Sequence, residues 1–599
     1  MFSISIFARA SIGLGLAACA ACAGIHPKSD DASAPQAFYT VTAEIALARH
    51  EPRVAALQYA AAAASETDVA LLERAAQVAA DTLQPSLAAK VAARWIEVDP
   101  KSVEAQRAAA RAALALHKID QAAAHYRAVL SNSPLGTDAE FAALETYLAG
   151  NDNIFGARQL ADRLAASFPS SATALRVQGY TSLRADDPAA AVRGFTAALA
   201  LGISDGNGGN TGNAGNGGNA GNGSNGGDEG ARRELLQTLA RARILSGDAE
   251  RPLAQAQEKV EHEDMPTNRL DYALLLMAAQ RDSAAIQQLD ILARNPEYAA
   301  VALRLSGLIE FQGGHLDAAT TRFAQLVRLD KYLDDACYYL GLIADRHGDP
   351  EHALRLYAQV QNGDNALPAL LRATTILQTH GAAAVAGDLL DRLIEEEPQR
   401  APEILAARAR IYADAGDLPG AVALLEQGIK EYPDSVDLRY AVASVYEDQG
   451  RIPDALRELT DLANARPDDP AALNALGYTL ADHSRDLARA RDLIERAYAA
   501  APKNAAILDS LGWVLFRQGH GVEAETYLRA AYADDRGGDI AAHLGEVLWQ
   551  LGRPADADHI WSEAAAADAD NRLLKATRQR FHATPQPAPA AHRPLPVLN

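Results

Sequence analysis

A single small residue, returning about every 34 positions, restricts this chain more than any other feature. Glycines stand at Gly247, Gly313, Gly348, Gly381, Gly416, Gly450, Gly519 and Gly552, in steps of 33 to 35 residues or twice that. Ser484 takes the slot between Gly450 and Gly519, and one unmarked unit lies between Gly247 and Gly313. Prolines march beside them at Pro398, Pro433, Pro467 and Pro502. Seven places before most of these glycines comes a small residue: Gly341, Ala409, Ala443, Gly477, Gly512 and Gly545. Five places after comes alanine: Ala318, Ala353, Ala386, Ala421, Ala455, Ala524 and Ala557, with Ala490 displaced by one inserted residue. Such a period describes one small unit that cannot bury its own apolar face and must stack on its neighbours.

The stretch SLGWVLFRQG, Ser510 to Gly519, shows what the unit is. It reads as an amphipathic helix, yet Gly512 in its middle costs roughly 1 kcal/mol against alanine. The cost is offset if Gly512 faces Ala524 on a second helix, because two small residues let the backbones approach. Leu511, Leu515, Tyr527 and Leu528 then fill the seam, and Gly519 supplies the backbone freedom of a sharp turn. The pairs Leu340-Gly341, Leu476-Gly477, Leu511-Gly512 and Leu544-Gly545, followed by the alanine and the proline, resemble the tetratricopeptide repeat. That resemblance implies an all-α superhelix, an α-solenoid of about 14–15 helix pairs without a single core.

The N-terminal part repeats less cleanly. Helical runs at 37–50 and 53–65, 67–82 and 85–98, 102–117 and 119–130, 138–150 and 153–168, and 171–184 and 188–201 form five degenerate pairs over 37–202. The tract GNGGNTGNAGNGGNAGNGSNGG has nothing to bury, so 203–230 is expected to be a disordered insertion. The regular superhelix follows over 231–567. Residues 568–599 read as a basic capping segment and a Pro-rich tail.

The formal charge of −21 argues against sequence-independent binding to nucleic acid, which needs many basic side chains. Three cysteines, Cys19, Cys22 and Cys337, are too few for a disulfide framework. The N-terminus MFSISIFARASIGLGLAAC is a short apolar run ending in small residues, the form of a secretory signal over 1–18. Leu16-Ala17-Ala18-Cys19 resembles the bacterial lipobox, which implies cleavage before Cys19, acylation there, and a flexible tether over 19–36. Ala20 in place of an aspartate implies sorting to the outer membrane, facing the periplasm. Several acyl chains on Cys19 anchor a protein without any spanning helix; ordinary cleavage near Ala21 or Ala23 is the alternative.

Catalytic patterns do not emerge. The histidines show no metal-ligand spacing, and EHED at 261–264 reads as a solvated turn. Cys337 lies beside a Leu-Gly pair and reads as a packed thiol. No phosphate loop or nucleophile elbow is present. The expectation is a non-enzyme with no catalytic residue, no metal and no cofactor.

What remains is a binding surface. In a superhelix of hairpins the first helices line the concave face. Counting from the small residue places Tyr440, Glu447, Asp448, Asn474, Tyr478, Asp482, Asp509, Trp513, Phe516, Arg517, Glu546, Trp549 and Gln550 along one groove. Aromatic and arginine anchors suit protein or peptide partners. The alternative is that Trp513, Phe516 and Trp549 pack between neighbouring first helices.

Two segments, FYTVTAEIALARHEPRVAALQYAAAASETDVALLERAAQVAADTLQPSLAAKVAARWIEVDP (38–100) and LNALGYTLADHSRDLARARDLIERAYAAAPKNAAILDSLGWVLFRQG (473–519), carry a closer resemblance. With the lipobox they resemble the outer-membrane tetratricopeptide lipoproteins of proteobacteria. That family includes the adaptor of a periplasmic carboxy-terminal processing protease. The resemblance implies a lipid-anchored scaffold that binds the serine protease and its cell-wall hydrolase substrates. A structural scaffold for an envelope assembly or polysaccharide-export complex is the other reading.

Overall fold

The computed structural model describes residues 36–49, 51–202, 225–567 and 571–583. Cys19, most of the Gly/Asn-rich tract and the Pro-rich tail lie outside them. The described residues hold 31 α-helices, one short 3-10 turn at Pro398–Arg400 and no strand. The helices alternate as antiparallel hairpins, five before the tract and ten after it, and a single helix, Arg572–Ala583, closes the series. Helix Asn225–Leu245 starts inside the stretch expected to lack structure. The tract's composition loses its Gly/Asn monotony near Asp228 and Glu229, and acidic residues favour a helix N-terminus.

Each hairpin is built as the period requires. Turn glycines adopt the left-handed conformation, as at Gly416 with φ 86° and Gly519 with φ 88°. The unmarked unit and the N-terminal units use the same geometry without glycine: Leu83, His117, Asp186, Gln280 and Ser484 all have φ between 50° and 57°. A side chain in that region costs about 1 kcal/mol, so stacking outweighs turn chemistry in the degenerate units. One register slips. The left-handed residue is Gly314, not Gly313, and the buried alanine five places on is Ala319, not Ala318. Gly307 then falls seven places before the turn, as Gly179 does before Asp186.

The small residue of the first helix meets the large residue four places after the alanine. A Cβ on Gly512 would lie 2.6 Å from Leu528 Cγ and 3.1 Å from the Ala524 carbonyl oxygen. At Gly545 it would lie 2.0 Å from Trp561 Nε1. Leu511, Leu515 and Leu528 are buried in the seam, and Tyr527 is half-buried.

The tertiary arrangement adds a second interface. A continuous apolar core runs from Ala401 to Leu574, and Leu83 and Phe155 of the N-terminal hairpins pack against it. Arg53 donates to the Glu431 carbonyl and lies 3.0 Å over the Tyr432 ring. Ser86 donates its backbone N–H and hydroxyl to Asp434, at 3.0 and 2.7 Å. Arg466 Nη2 donates to the Ala115 carbonyl at 2.8 Å, and Arg158 Nη1 to the Ala500 carbonyl at 3.2 Å. Partners advance together along both halves, so turns of the first array lie on interhairpin loops of the second. The solenoid curls until its beginning rests on its later part.

His117 sits in this contact. Its side chain is fully buried, with Nδ1 3.3 Å from Asn153 Oδ1 and 3.9 Å from Asp469 Oδ2. Burial holds the imidazole below its ordinary value; Asp469 pulls the other way and Arg466 adds to the depression.

Candidate functional site: the concave face near the C-terminal end

The groove residues sit on four first helices, Val436–Asp448, Pro470–Asp482, Ala505–Arg517 and Gly538–Gln550. The spacing of the units brings them to one side, and the structure divides them into three groups.

The first group is a buried polar cluster. Asp509 and Trp513 are 6% and 4% exposed, so neither offers a partner a surface, against the expectation of groove-lining roles. The Trp513 ring stacks on His543 at 4.2 Å, and its Nε1 donates to Asp482 Oδ1 at 3.1 Å. Asp509 holds His543 Nδ1 with both carboxylate oxygens, at 2.8 and 3.0 Å. The Tyr478 hydroxyl lies 3.5 Å from His543 Nε2. Burial disfavours a charged imidazole here. The Asp509 carboxylate, with Asp482 and Asp539 beyond it, outweighs burial and holds His543 above its ordinary value. Burial and the surrounding carboxylates push the Tyr478 phenol well up. The cluster clamps Pro470–Asp482, Ala505–Arg517 and Gly538–Gln550 together.

Sequence reasoning passed over His543 because it counted only inward positions. The available signal was an aspartate and a histidine one repeat apart.

The second group, with Tyr478 and Asp482 at the edge of that cluster, is less buried, although the Tyr440 hydroxyl and the Asn474 Oδ1 are sealed from solvent. Asp448 and Gln550 are exposed; Tyr440, Glu447, Asn474, Tyr478, Asp482, Phe516 and Arg517 are half-buried. Burial raises the Glu447 carboxyl above the usual range, while His483, 3.6 Å away, pulls it down. Arg517 lies 5.4 Å over the Trp513 ring and 3.8 Å from Asp482 Oδ1. The floor is therefore carboxylates beside aromatic rings.

The third group is covered by this chain's own last helix. Trp549 stacks on Trp561 at 5.8 Å and meets Phe581 at 5.5 Å, while Glu546 accepts from Arg580. Arg572 reaches Asp448 and Asp414, at 3.5 Å each. Asp414 belongs to helix Ala401–Asp414, so helix Arg572–Ala583 bridges to hairpins far upstream. The sequence indicated a basic cap there but not where its arginines would land.

No group of three or more His, Cys, Asp or Glu among the described residues is arranged to hold a metal ion. Cys337 is buried, its Sγ 3.8 Å from Gln359 Oε1, and burial raises its thiol. None of the helices described is long and apolar enough to cross a membrane.

Comparison with known proteins agrees with the period. Residues 377–436 and 412–477 match models of the tetratricopeptide repeat. A TPR repeat-containing protein of Pseudomonas aeruginosa is 36% identical over 214 residues, 36% of this chain and 36% of that protein. The match thus spans about a third of that relative's length. Among solved structures, a thermophilic TPR protein of Thermus thermophilus is similar at 21% identity and a TM-score of 0.28. It covers 31% of this chain and 98% of its own.

Proposed function

We propose that this chain, a tetratricopeptide-repeat protein, is a non-catalytic scaffold held on the periplasmic face of the outer membrane by acyl chains on Cys19. It brings a periplasmic carboxy-terminal processing protease together with cell-wall hydrolase substrates. One observation supports the scaffold reading: successive hairpins bring carboxylates and aromatic rings to one side of the coil. Tyr440, Glu447, Tyr478, Phe516 and Arg517 come from three helices that only stacking brings together. Repeats of this family serve protein–protein contact, and a face spread over several repeats suits an extended partner. Holding two partners on one coil raises their effective concentration without any chemistry by the scaffold. The lipobox residues support the anchor, and the 38–100 and 473–519 segments support the protease link.

The test is capture from envelope extracts with the full chain as bait. The expected result is a periplasmic serine protease. It should be weakened by Gln550→Lys, on an exposed site, combined with Phe516→Ala, at unchanged circular dichroism. Recovery of export or assembly subunits instead would replace the protease reading with a structural scaffold. Retention by the double variant would remove the groove from the account.

A further inference from the structure

The first hairpin departs from the surface chemistry of the rest. The thirteen residues of helix Gln36–Ala48 and the twelve of Pro52–Ala63 carry two charged side chains, Glu44 and Arg53, and the turn between them adds Arg49 and Glu51. The whole chain is 22% charged. Both helix charges are engaged within the molecule. Tyr59 donates to Glu44, and Arg53 is drawn to the Glu431 carbonyl.

Helix Gln36–Ala48 packs against its hairpin partner. Phe38, Val41 and Ile45 share its opposite face and are 54%, 58% and 47% exposed. Val54 and Leu57 of the partner helix are exposed as well. The other end of the array is finished differently. Helix Arg572–Ala583 leaves Lys575 and Gln579 exposed and pairs Arg572 and Arg580 with carboxylates of earlier helices. Solenoids keep soluble ends by such polar outer faces, and among the described residues only the far end has one. A bare apolar surface of this kind marks a contact.

The sequence says what lies beside it. Seventeen positions separate Cys19 from Gln36. A chain of that length reaches ~60 Å at most. A lipid on Cys19 therefore keeps this hairpin next to the bilayer. The binding of a helix to a lipid–water interface grows with the apolar area it buries there.

We propose that the Phe38–Val41–Ile45 face seats on the lipid surface to which Cys19 is tethered and so fixes how the coil stands on the membrane. The inference rests on the lipid-anchor reading above. The contact is apolar, so it depends little on lipid charge or salt.

The experiment uses the chain from Ala20 to Asn599, which lacks the acylated cysteine, and vesicles of phosphatidylethanolamine with phosphatidylglycerol. This protein should float with the vesicles at low and high salt alike. Combining Phe38→Ser, Val41→Ser and Ile45→Ser should cut the bound fraction at least about tenfold, given what three large apolar side chains gain on burial. Circular dichroism should not change, because all three are exposed. Equal flotation of the variant overturns the proposal. So does a protein that stays free of vesicles, or one whose apolar face instead forms a concentration-dependent dimer. Fractionation of cells tests the anchor separately. Wild type in membranes and Cys19→Ala in the soluble fraction, with no flotation of the shortened chain, would leave the anchor and remove the docking face. Flotation of the shortened chain, with no acyl mass on Cys19 of the wild type, would do the reverse.

Discussion

Glycine does two unlike things in this chain, and only one concerns turns. Gly545 is helical, and a methyl there would collide with the Trp561 indole at 2.0 and 2.3 Å. Gly387 is helical too, but a methyl there would meet only Arg408 Nη2, at 3.6 Å. Gly545→Ala should therefore destabilise by about 2 kcal/mol despite its better helix propensity. Gly387→Ala should stabilise by about 0.5–1 kcal/mol. Denaturant titration of both variants checks this; a stabilised Gly545→Ala would end the close-packing account. The same scale shows why the period faded toward the N-terminus. Leu83, His117 and Asp186 hold the turn without glycine, so the geometry persists where its usual letter does not. Gly313 and Gly314 stand side by side, and only the backbone could show which takes the left-handed place.

Between elements, the His543–Asp509 pair is a buried polar staple. Because the folded-state value of His543 is raised, its contribution is whole below about pH 6.5, the unfolded value. It is lost as pH rises through the folded value. Removing one partner of a buried charged pair costs about 3 kcal/mol, so His543→Gln should be destabilised by that order at pH 6. The gap between wild type and variant should narrow toward pH 9. A gap that stays constant with pH would mean the imidazole is not charged in the folded protein. The positional rule that named groove residues included Asp509 and Trp513, yet both are sealed by neighbours. A rule counted along one helix gives direction; burial depends on what the next hairpin puts opposite. The Arg572 contacts with Asp414 and Asp448 were illegible for the same reason, since their helices are distant in sequence.

At the scale of the whole molecule, the contact between the two arrays decides the shape. Arg158 and Arg466 each donate to a backbone carbonyl across it, bonds worth about 1.5–3 kcal/mol apiece when the donor is charged and partly buried. Combining Arg158→Ala with Arg466→Ala should raise the radius of gyration in small-angle scattering at unchanged helicity; an unaltered radius would show that apolar packing of Leu83 and Phe155 suffices. The contact also carries the opposite pH sign from the staple. The folded value of His117 is depressed, so its contribution is present above about pH 6.5 and lost as pH falls through the folded value. Acidification should therefore favour the open form, and more so with Asp469→Asn, which removes the carboxylate that raises the His117 value. What the sequence determined by itself was the unit: small residues and turns at a fixed interval dictate hairpins, because they answer to contacts within some thirty residues. Only the tertiary structure decided how the coil closes and which groove side chains stay accessible. Those outcomes depend on small rotations accumulated from hairpin to hairpin, which bring residues more than three hundred positions apart into contact and which no local pattern encodes.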